Sequence, residues 1–160
     1  MGNEDLSVAQ KSLNVSSVNL RDTKVFVHEE LDIRRFDRNL ATTQGYRFNL
    51  RIKELEFTDP EQNKTWEYHY YYSTGLRIIK NDEEEEAQQE GYIPILEITC
   101  IFEAIYFSEK KLTQDQQKAF SIDNVGYHVW PYWREYVQST CARMGLNPTL
   151  EIPVYIMQRD

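Results

Sequence analysis

The chain has 160 residues and a formal net charge of −8, which allows one domain with a hydrophobic core and is short for two. Its 18 basic residues are scattered, whereas a duplex binder needs a clustered basic face, so we expect no nucleic-acid partner. No apolar run approaches the length that spans a bilayer and the N-terminus lacks a secretory signal pattern, so we expect a soluble, cytoplasmic protein without membrane insertion.

The first third of the chain predicts two strands after a polar start. Residues 1–12 are polar, and we expect a flexible segment there. Imperfect alternation of apolar and polar residues over 13–27 predicts the first strand. The charged stretch 29–43 shows neither helical nor strand periodicity of its apolar residues, which predicts a loop. The second strand places four apolar residues on one face: Tyr46, Phe48, Leu50 and Ile52. The apolar parity then changes, which predicts a bulge near Lys53.

Two more strands follow. A turn-rich connector at residues 58–64 leads into a third strand whose tyrosines share one face. The acidic run Asp82–Glu86 repels itself, so we expect a flexible loop there. The fourth strand, residues 93–107, is apolar on one face and mixed on the other, which predicts cover on one side and partial cover on the other.

The last third predicts two helices and an extended tail. Thr113 and Gln116 match a capping box, which predicts a short helix that ends near Phe120. Asp123 or Asn124 can then cap a long helix that ends at a left-handed cap on Gly145. The fold class is therefore α+β, with a four-stranded antiparallel sheet (a meander) followed by a short helix, a long helix and an extended C-terminal tail.

The long helix carries an apolar stripe at alternating steps of three and four. Its members are Trp130, Trp133, Val137, Thr140 and Met144. The stripe can pack on the protein's own sheet, or it can form an oligomer interface with a neighbouring protomer. Pro131 lies about two turns into the helix and predicts a kink or a split there.

An ordered set of residues in this region resembles the SecB family of protein-export chaperones. The set consists of Trp130, Pro131, Tyr132, Arg134, Glu135, Gly145, Pro148, Leu150 and Pro153. The resemblance is tighter over residues 108–156 than over 13–107, and it implies a single SecB-like domain over 13–157. It also implies a homotetramer, a dimer of dimers, in which edge strands pair and long helices pack across the second interface.

The resemblance implies an ATP-independent holdase that binds unfolded or aggregation-prone polypeptides in grooves between sheet and helices. By position, the candidate client-binding residues are Tyr46, Phe48, Phe120, Tyr127, Tyr132 and Tyr155, and for each one a place in the core explains the pattern equally well. Tyrosine, of which the chain has 11, suits surfaces that are covered only part of the time.

The end of the chain bears on which polypeptide is held. Export-dedicated members carry a cysteine-bearing, zinc-supporting tail that engages the ATPase SecA, and this sequence has no cysteine or histidine after Cys141. We therefore expect a chaperone dedicated to the antitoxin of a toxin–antitoxin–chaperone system. The alternatives are a general chaperone that delivers precursors for SecA-dependent export, and an adaptor with one folded partner.

No catalytic, cofactor or metal site is expected. His28, His69 and His128 are far apart in the sequence, and the metalloprotease, nucleophile-elbow and phosphate-loop motifs are absent. Cys100 and Cys141 lie in apolar patterns without a C-x-x-C pair, which predicts buried free thiols. We therefore expect no enzymatic activity.

Overall fold

The computed structural model describes residues 2–158. Met1, at the start of the expected flexible segment, and Arg159 and Asp160, at the end of the tail, lie outside the described residues. The elements in chain order are α1 (Gly2–Ser12), β1 (Asn14–Val27), β2 (Ala41–Thr58), β3 (Lys64–Lys80), β4 (Leu96–Ser108), α2 (Gln114–Ser121) and α3 (Asn124–Met144).

The four strands form one antiparallel sheet in the order β1-β4-β3-β2. An antiparallel four-stranded sheet followed by helices is confirmed, but the meander describes β2, β3 and β4 only. β1 lies beside β4, so the connection 28–40 crosses from one edge of the sheet to the other. β3 and β4 are therefore the two central strands, and their helix-side residues supply much of the core.

The N-terminal residues form a helix where we expected a flexible segment, so that prediction is wrong for residues 2–12. Acidic residues stand in the first turn of α1 and Lys11 in the last, which suits the helix dipole. α1 packs against α2 and fully buries Ala9. A short polar helix of this kind gains its stability from tertiary contact, which local sequence does not reveal.

The helices cover one face of the sheet, which we call the helix side. Tyr70 and Tyr106 on neighbouring strands both contact Phe120 of α2, with ring centroids 5.9 and 5.0 Å away. The capping box on α2 is confirmed, with Thr113 and Gln116 bonding each other's backbone. These aromatic contacts place the core between β3, β4 and the two C-terminal helices.

A bulge changes which face the residues of β2 occupy. The register shift lies between Asn49 and Arg51, a few residues before the predicted position near Lys53. Phe48 pairs with Ser73, which points away from the helices, whereas Ile52 pairs with Tyr70 on the helix side. The prediction of one continuous apolar face is therefore wrong, because a single extra residue moves all later side chains to the opposite face.

The long helix α3 is continuous, so Pro131 does not split it. Gly145 adopts the predicted left-handed cap with φ 81°, and the next amide, that of Leu146, bonds back to the carbonyl of Cys141 at 3.0 Å. Both cysteines are free and buried, as predicted, and burial raises the pKa of the Cys100 thiol to about 11.

The apolar stripe of α3 lies inside the protomer. Four members are buried and Met144 is half-buried: Trp130, Trp133, Val137 and Thr140 are at most 9 % exposed. The stripe packs on the protein's own sheet, which is one of the two placements that its spacing allows. A face already desolvated within the chain offers no further apolar area to a second copy.

The acidic run is folded into two short 3₁₀ turns instead of an open loop. Arg77 donates to the carbonyl of Ala87 at 2.8 Å, and Tyr92 donates to Glu83 at 2.7 Å. Ala87 is buried, so the segment covers one end of the sheet on the side away from the helices. Asp82, Glu84, Glu85 and Glu86 stay exposed, whereas Glu83 is half-buried and also pairs with Lys80 at 3.6 Å.

Candidate functional site: a groove between strand β2, helix α3 and the C-terminal tail

An open groove lies on the helix side of the sheet, between β2 and the first half of α3. Its cavity volume is about 440 Å³. Its walls include Arg47, Leu76, Trp130 and Trp133, and residues 151–154 together with Ile156 form its other border. We call residues 148–158 the tail and this cavity the tail groove. Its lining is mostly apolar, so it suits the side chains of an apolar polypeptide segment.

Arg47 joins the strand to the tail. It pairs with Thr74 on β3, which places it on the helix side of β2. Its guanidinium lies 4.1 Å from the ring centroid of Tyr155 and 5.3 Å from that of Trp130. Its Nη2 donates to the carbonyl of Ile156 at 2.7 Å. Cation–π contacts and a charge-assisted hydrogen bond therefore fix the tail against the groove.

Two groups on α3 and at its start bind the tail backbone as well. Trp130 Nε1 donates to the carbonyl of Pro153 at 2.6 Å. The carboxylate of Asp123 accepts from the Gln158 amide at 2.7 Å and from the Tyr155 hydroxyl at 3.3 Å. Within the described part of the chain, no backbone–backbone hydrogen bond holds residues 150–158. Side chains alone therefore hold the backbone of this extended segment.

Gly126 lets the tail approach α3 closely. A Cβ atom at this position would lie 2.6 Å from the ring of Tyr155 and 2.7 Å from the hydroxyl of Tyr72. Such distances are not tolerated, so only glycine leaves room for the tyrosine of the tail. Burial raises the pKa of Tyr155, which keeps its hydroxyl protonated as a donor to Asp123.

Two of the six predicted client residues contact each other next to this groove, although neither lines its cavity. Tyr155 packs on Trp130 with centroids 5.5 Å apart, and Tyr127 meets Tyr155 edge to face at 6.5 Å. Tyr127 is 57 % exposed, so its ring is available to a ligand. Phe120 is 2 % exposed and belongs to the core.

The other three residues lie elsewhere. Tyr132 lies on α3 one helical turn after His128 and one turn before Tyr136. His128 bonds Tyr106 of β4, and Tyr136 bonds Thr23 of β1. Tyr132 therefore lies on the flank of α3 that is nearer to β1. Tyr46 reaches the rim of the tail groove, but its ring lies over Gly75 on the face away from the helices. There it packs on Phe48 at 5.8 Å, and both rings are about half exposed.

The sequence pattern did not reveal that Arg47, Asp123 and the indole N–H of Trp130 bind the tail. Alternation along β2 does place Arg47 opposite Tyr46, and this was the available signal. Its importance comes from the tail, which lies more than a hundred positions later in the sequence. Asp123, one of the two predicted caps, stands at the N-cap position of α3, but its side chain makes no cap hydrogen bond and binds the tail instead.

A charged cluster lies on the opposite face of the sheet. Glu103 is 6 % exposed, with His69 Nδ1 3.6 Å and Arg21 Nη1 4.0 Å from its carboxylate. Burial would raise the pKa of Glu103, but the hydrogen bond from Tyr71 and the charges of Arg21 and His69 outweigh it and lower the pKa. These partners compensate the buried carboxylate, so the cluster is a structural feature of this face.

Two further observations limit the chemistry of the chain. Among residues 2–158, no group of three or more histidine, cysteine or acidic side chains is arranged to hold a metal ion. No helix in the same range is long and apolar enough to cross a membrane.

Comparison with known proteins adds one informative match. No protein-family model matches the sequence, and no curated protein sequence is similar to it. Among solved structures, the chain is similar to the Mycobacterium tuberculosis SecB-like chaperone Rv1957 in complex with a ChAD peptide from the Rv1956 HigA1 antitoxin. The identity is 20 %, the TM-score is 0.62, and the match covers 96 % of this chain and 99 % of that one. The chain therefore has the SecB-like fold that the sequence resemblance implied.

Proposed function

We propose that this protein is a chaperone that binds unfolded polypeptides in the tail groove and that its dedicated client is an antitoxin. The observation that carries the proposal is the open, apolar groove on the helix side of a SecB-like fold. The antitoxin enters because the structural neighbour was solved with a peptide from an antitoxin.

The physical basis is the mixture of apolar walls and backbone ligands. Burial of apolar client surface contributes about 25 cal/mol per Å². The indole of Trp130 and the guanidinium of Arg47 donate to peptide carbonyls, which every sequence presents. A protein that binds unfolded chains in this way lowers the concentration that can aggregate, through mass action and without ATP.

We also propose that the protomers assemble through the free edge of β1, as a dimer or a dimer of dimers. Three apolar side chains on the helix side of this edge strand, Val15, Leu20 and Val25, are 44–53 % exposed. An exposed apolar edge is an aggregation hazard unless it pairs. Pairing with the same edge of a second copy would cover these residues and use the free ladder groups of β1.

Two tyrosines on α3 provide a matched test of the groove. Tyr127 contacts Tyr155 of the tail and Tyr132 lies on the other flank, and their exposed fractions are 57 and 49 %. Tyr127→Glu should weaken binding of the proposed antitoxin client by about tenfold, as expected for an aromatic binding residue. Tyr132→Glu should leave it unchanged.

The measurements are the turbidity of a heat-unfolded client without nucleotide and the affinity for the antitoxin by calorimetry. Suppression of turbidity at stoichiometric amounts, lost in Tyr127→Glu and kept in Tyr132→Glu, supports the proposal. No suppression by the unmodified protein, or suppression only with ATP, removes the holdase. If both substitutions reduce client binding equally, the groove is not the client-binding site.

A further inference from the structure

We infer that the docked tail covers part of the client site, so that a client must displace it before it binds fully. The inference rests on the proposed function and adds a regulatory element to it. The covering segment is residues 153–158 of this chain, held in an extended form along one border of the groove. Client affinity is then set partly by how firmly the tail is docked.

The groove recognises the tail through groups that any polypeptide offers. Trp130 Nε1 and Arg47 Nη2 donate to the carbonyls of Pro153 and Ile156, and Asp123 accepts from the amide of Gln158. None of these three hydrogen bonds depends on the identity of a tail side chain. An extended client segment presents carbonyls and amides at similar intervals, so it can take the same three groups.

Apart from Tyr155, which packs against the core, the side chains in the outer half of the tail are mostly exposed. Val154, Ile156 and Met157 are 67, 68 and 51 % exposed, so their side chains contribute little burial. Leu150 and Ile152 pack against the core and anchor the start of the tail. The segment from Pro153 onward can therefore leave the groove while the anchor stays in place.

Asp123 lowers the cost of this exchange. It stands at the N-cap position of α3 but makes no side-chain cap hydrogen bond, because its carboxylate binds the tail. Once the tail leaves, the same carboxylate can accept from the first-turn amides of α3, as aspartate commonly does at this position. Release of the tail removes the hydrogen bonds of Asp123 to Gln158 and Tyr155, and capping bonds to α3 can take their place.

The inference predicts whether substitutions in the tail raise or lower the affinity for a client. If the groove binds clients only when the tail is out, the apparent dissociation constant equals the intrinsic one divided by the open fraction. Loosening the tail then tightens client binding. If the tail instead forms part of the client site, loosening it weakens binding.

The test changes the tail border of the groove and leaves the walls formed by β2, β3 and α3 unaltered. Pro153→Gly combined with Val154→Gly keeps every backbone acceptor and favours the undocked tail through its greater chain entropy. The probe is a reduced, carboxymethylated protein that stays unfolded, with affinity followed by fluorescence anisotropy. We expect about tenfold tighter binding by this variant. The matched control, Pro60→Gly with Glu61→Gly in the exposed turn between β2 and β3, should bind like the unmodified protein. Unchanged or weaker binding by the tail variant overturns the inference.

A second measurement separates this inference from the proposed function. The indole N–H of Trp130 and the amide of Gln158 are reporters of tail docking by NMR. Both should change their resonances when the unfolded probe binds, and Gln158 should acquire fast hydrogen exchange. If the probe binds while Gln158 keeps its docked signal, the tail is not displaced and the inference is wrong, although the chaperone stands. If none of the three proteins binds the probe, the proposed function itself is wrong.

Discussion

Replacing Trp133 with alanine tests whether the stripe of α3 belongs to the core or to an interface between protomers. The side chain is 2 % exposed within a single protomer. A tryptophan buries roughly 150–250 Å², which at about 25 cal/mol per Å² corresponds to about 4–6 kcal/mol. Truncation of buried tryptophan or phenylalanine costs about 3–5 kcal/mol in measured cases, so we expect a loss of about 4 kcal/mol. For a chain of this length, that loss lowers Tm by roughly 8–16 °C.

The assay is urea unfolding followed by far-ultraviolet circular dichroism, because tryptophan fluorescence changes with the substitution itself. Tyr132→Ala, one position earlier and 49 % exposed, is the control and should lose less than about 1 kcal/mol. Trp133→Glu should fail to fold, since it buries an unpaired charge. A Trp133→Ala protein as stable as the unmodified one, but of smaller mass in light scattering, would refute the core assignment and restore the stripe as an interface.

Three further expectations follow from the same contacts. The folded protein lowers the pKa of Glu103 below its ordinary value of 4.5. The ionised carboxylate therefore stabilises the fold above pH 4.5, and this contribution disappears as the pH falls through the lowered pKa. Glu103→Gln should be less stable than the unmodified protein at neutral pH, and its free energy of unfolding should fall less steeply with acid. Gly126→Ala should force Tyr155 off α3 and speed hydrogen exchange of the Gln158 amide, and an unchanged exchange rate would contradict the packing of the tail. Light scattering at micromolar concentration should give at least twice the 19.1 kDa mass of the chain, and a monomer would remove the pairing of β1 edges.

Local pattern was a good guide where local chemistry decides structure. The capping box at Thr113, the left-handed cap at Gly145 and the alternating tyrosines of β3 follow from groups within a few positions of one another, and all were predicted. The SecB-like fold was implied by an ordered set of residues in α3 and the tail, and the structural neighbour confirms it.

The positions of the client residues could not be predicted in the same way. Tyr46 and Phe48 satisfy an apolar face, but which face meets the helices depends on a bulge whose place is set by pairing with β3. Tyr127 and Tyr132 are similar in sequence context, and only the packing of α3 separates the groove flank from the other one. Phe120 looks the same in sequence whether it lines a groove or fills the core, and contacts with Tyr70 and Tyr106 decide it.

The sequence by itself determined the element types, most of their boundaries, the buried free cysteines and the kind of fold, because these depend on short-range periodicity, caps and turns. Only the tertiary structure decided that β1 joins β4, that residues 2–12 form a helix, and that the tail lies against Arg47, Trp130 and Asp123. Each of these depends on contacts between distant positions, whose closure entropy is offset only by surfaces that exist after the rest of the chain has folded.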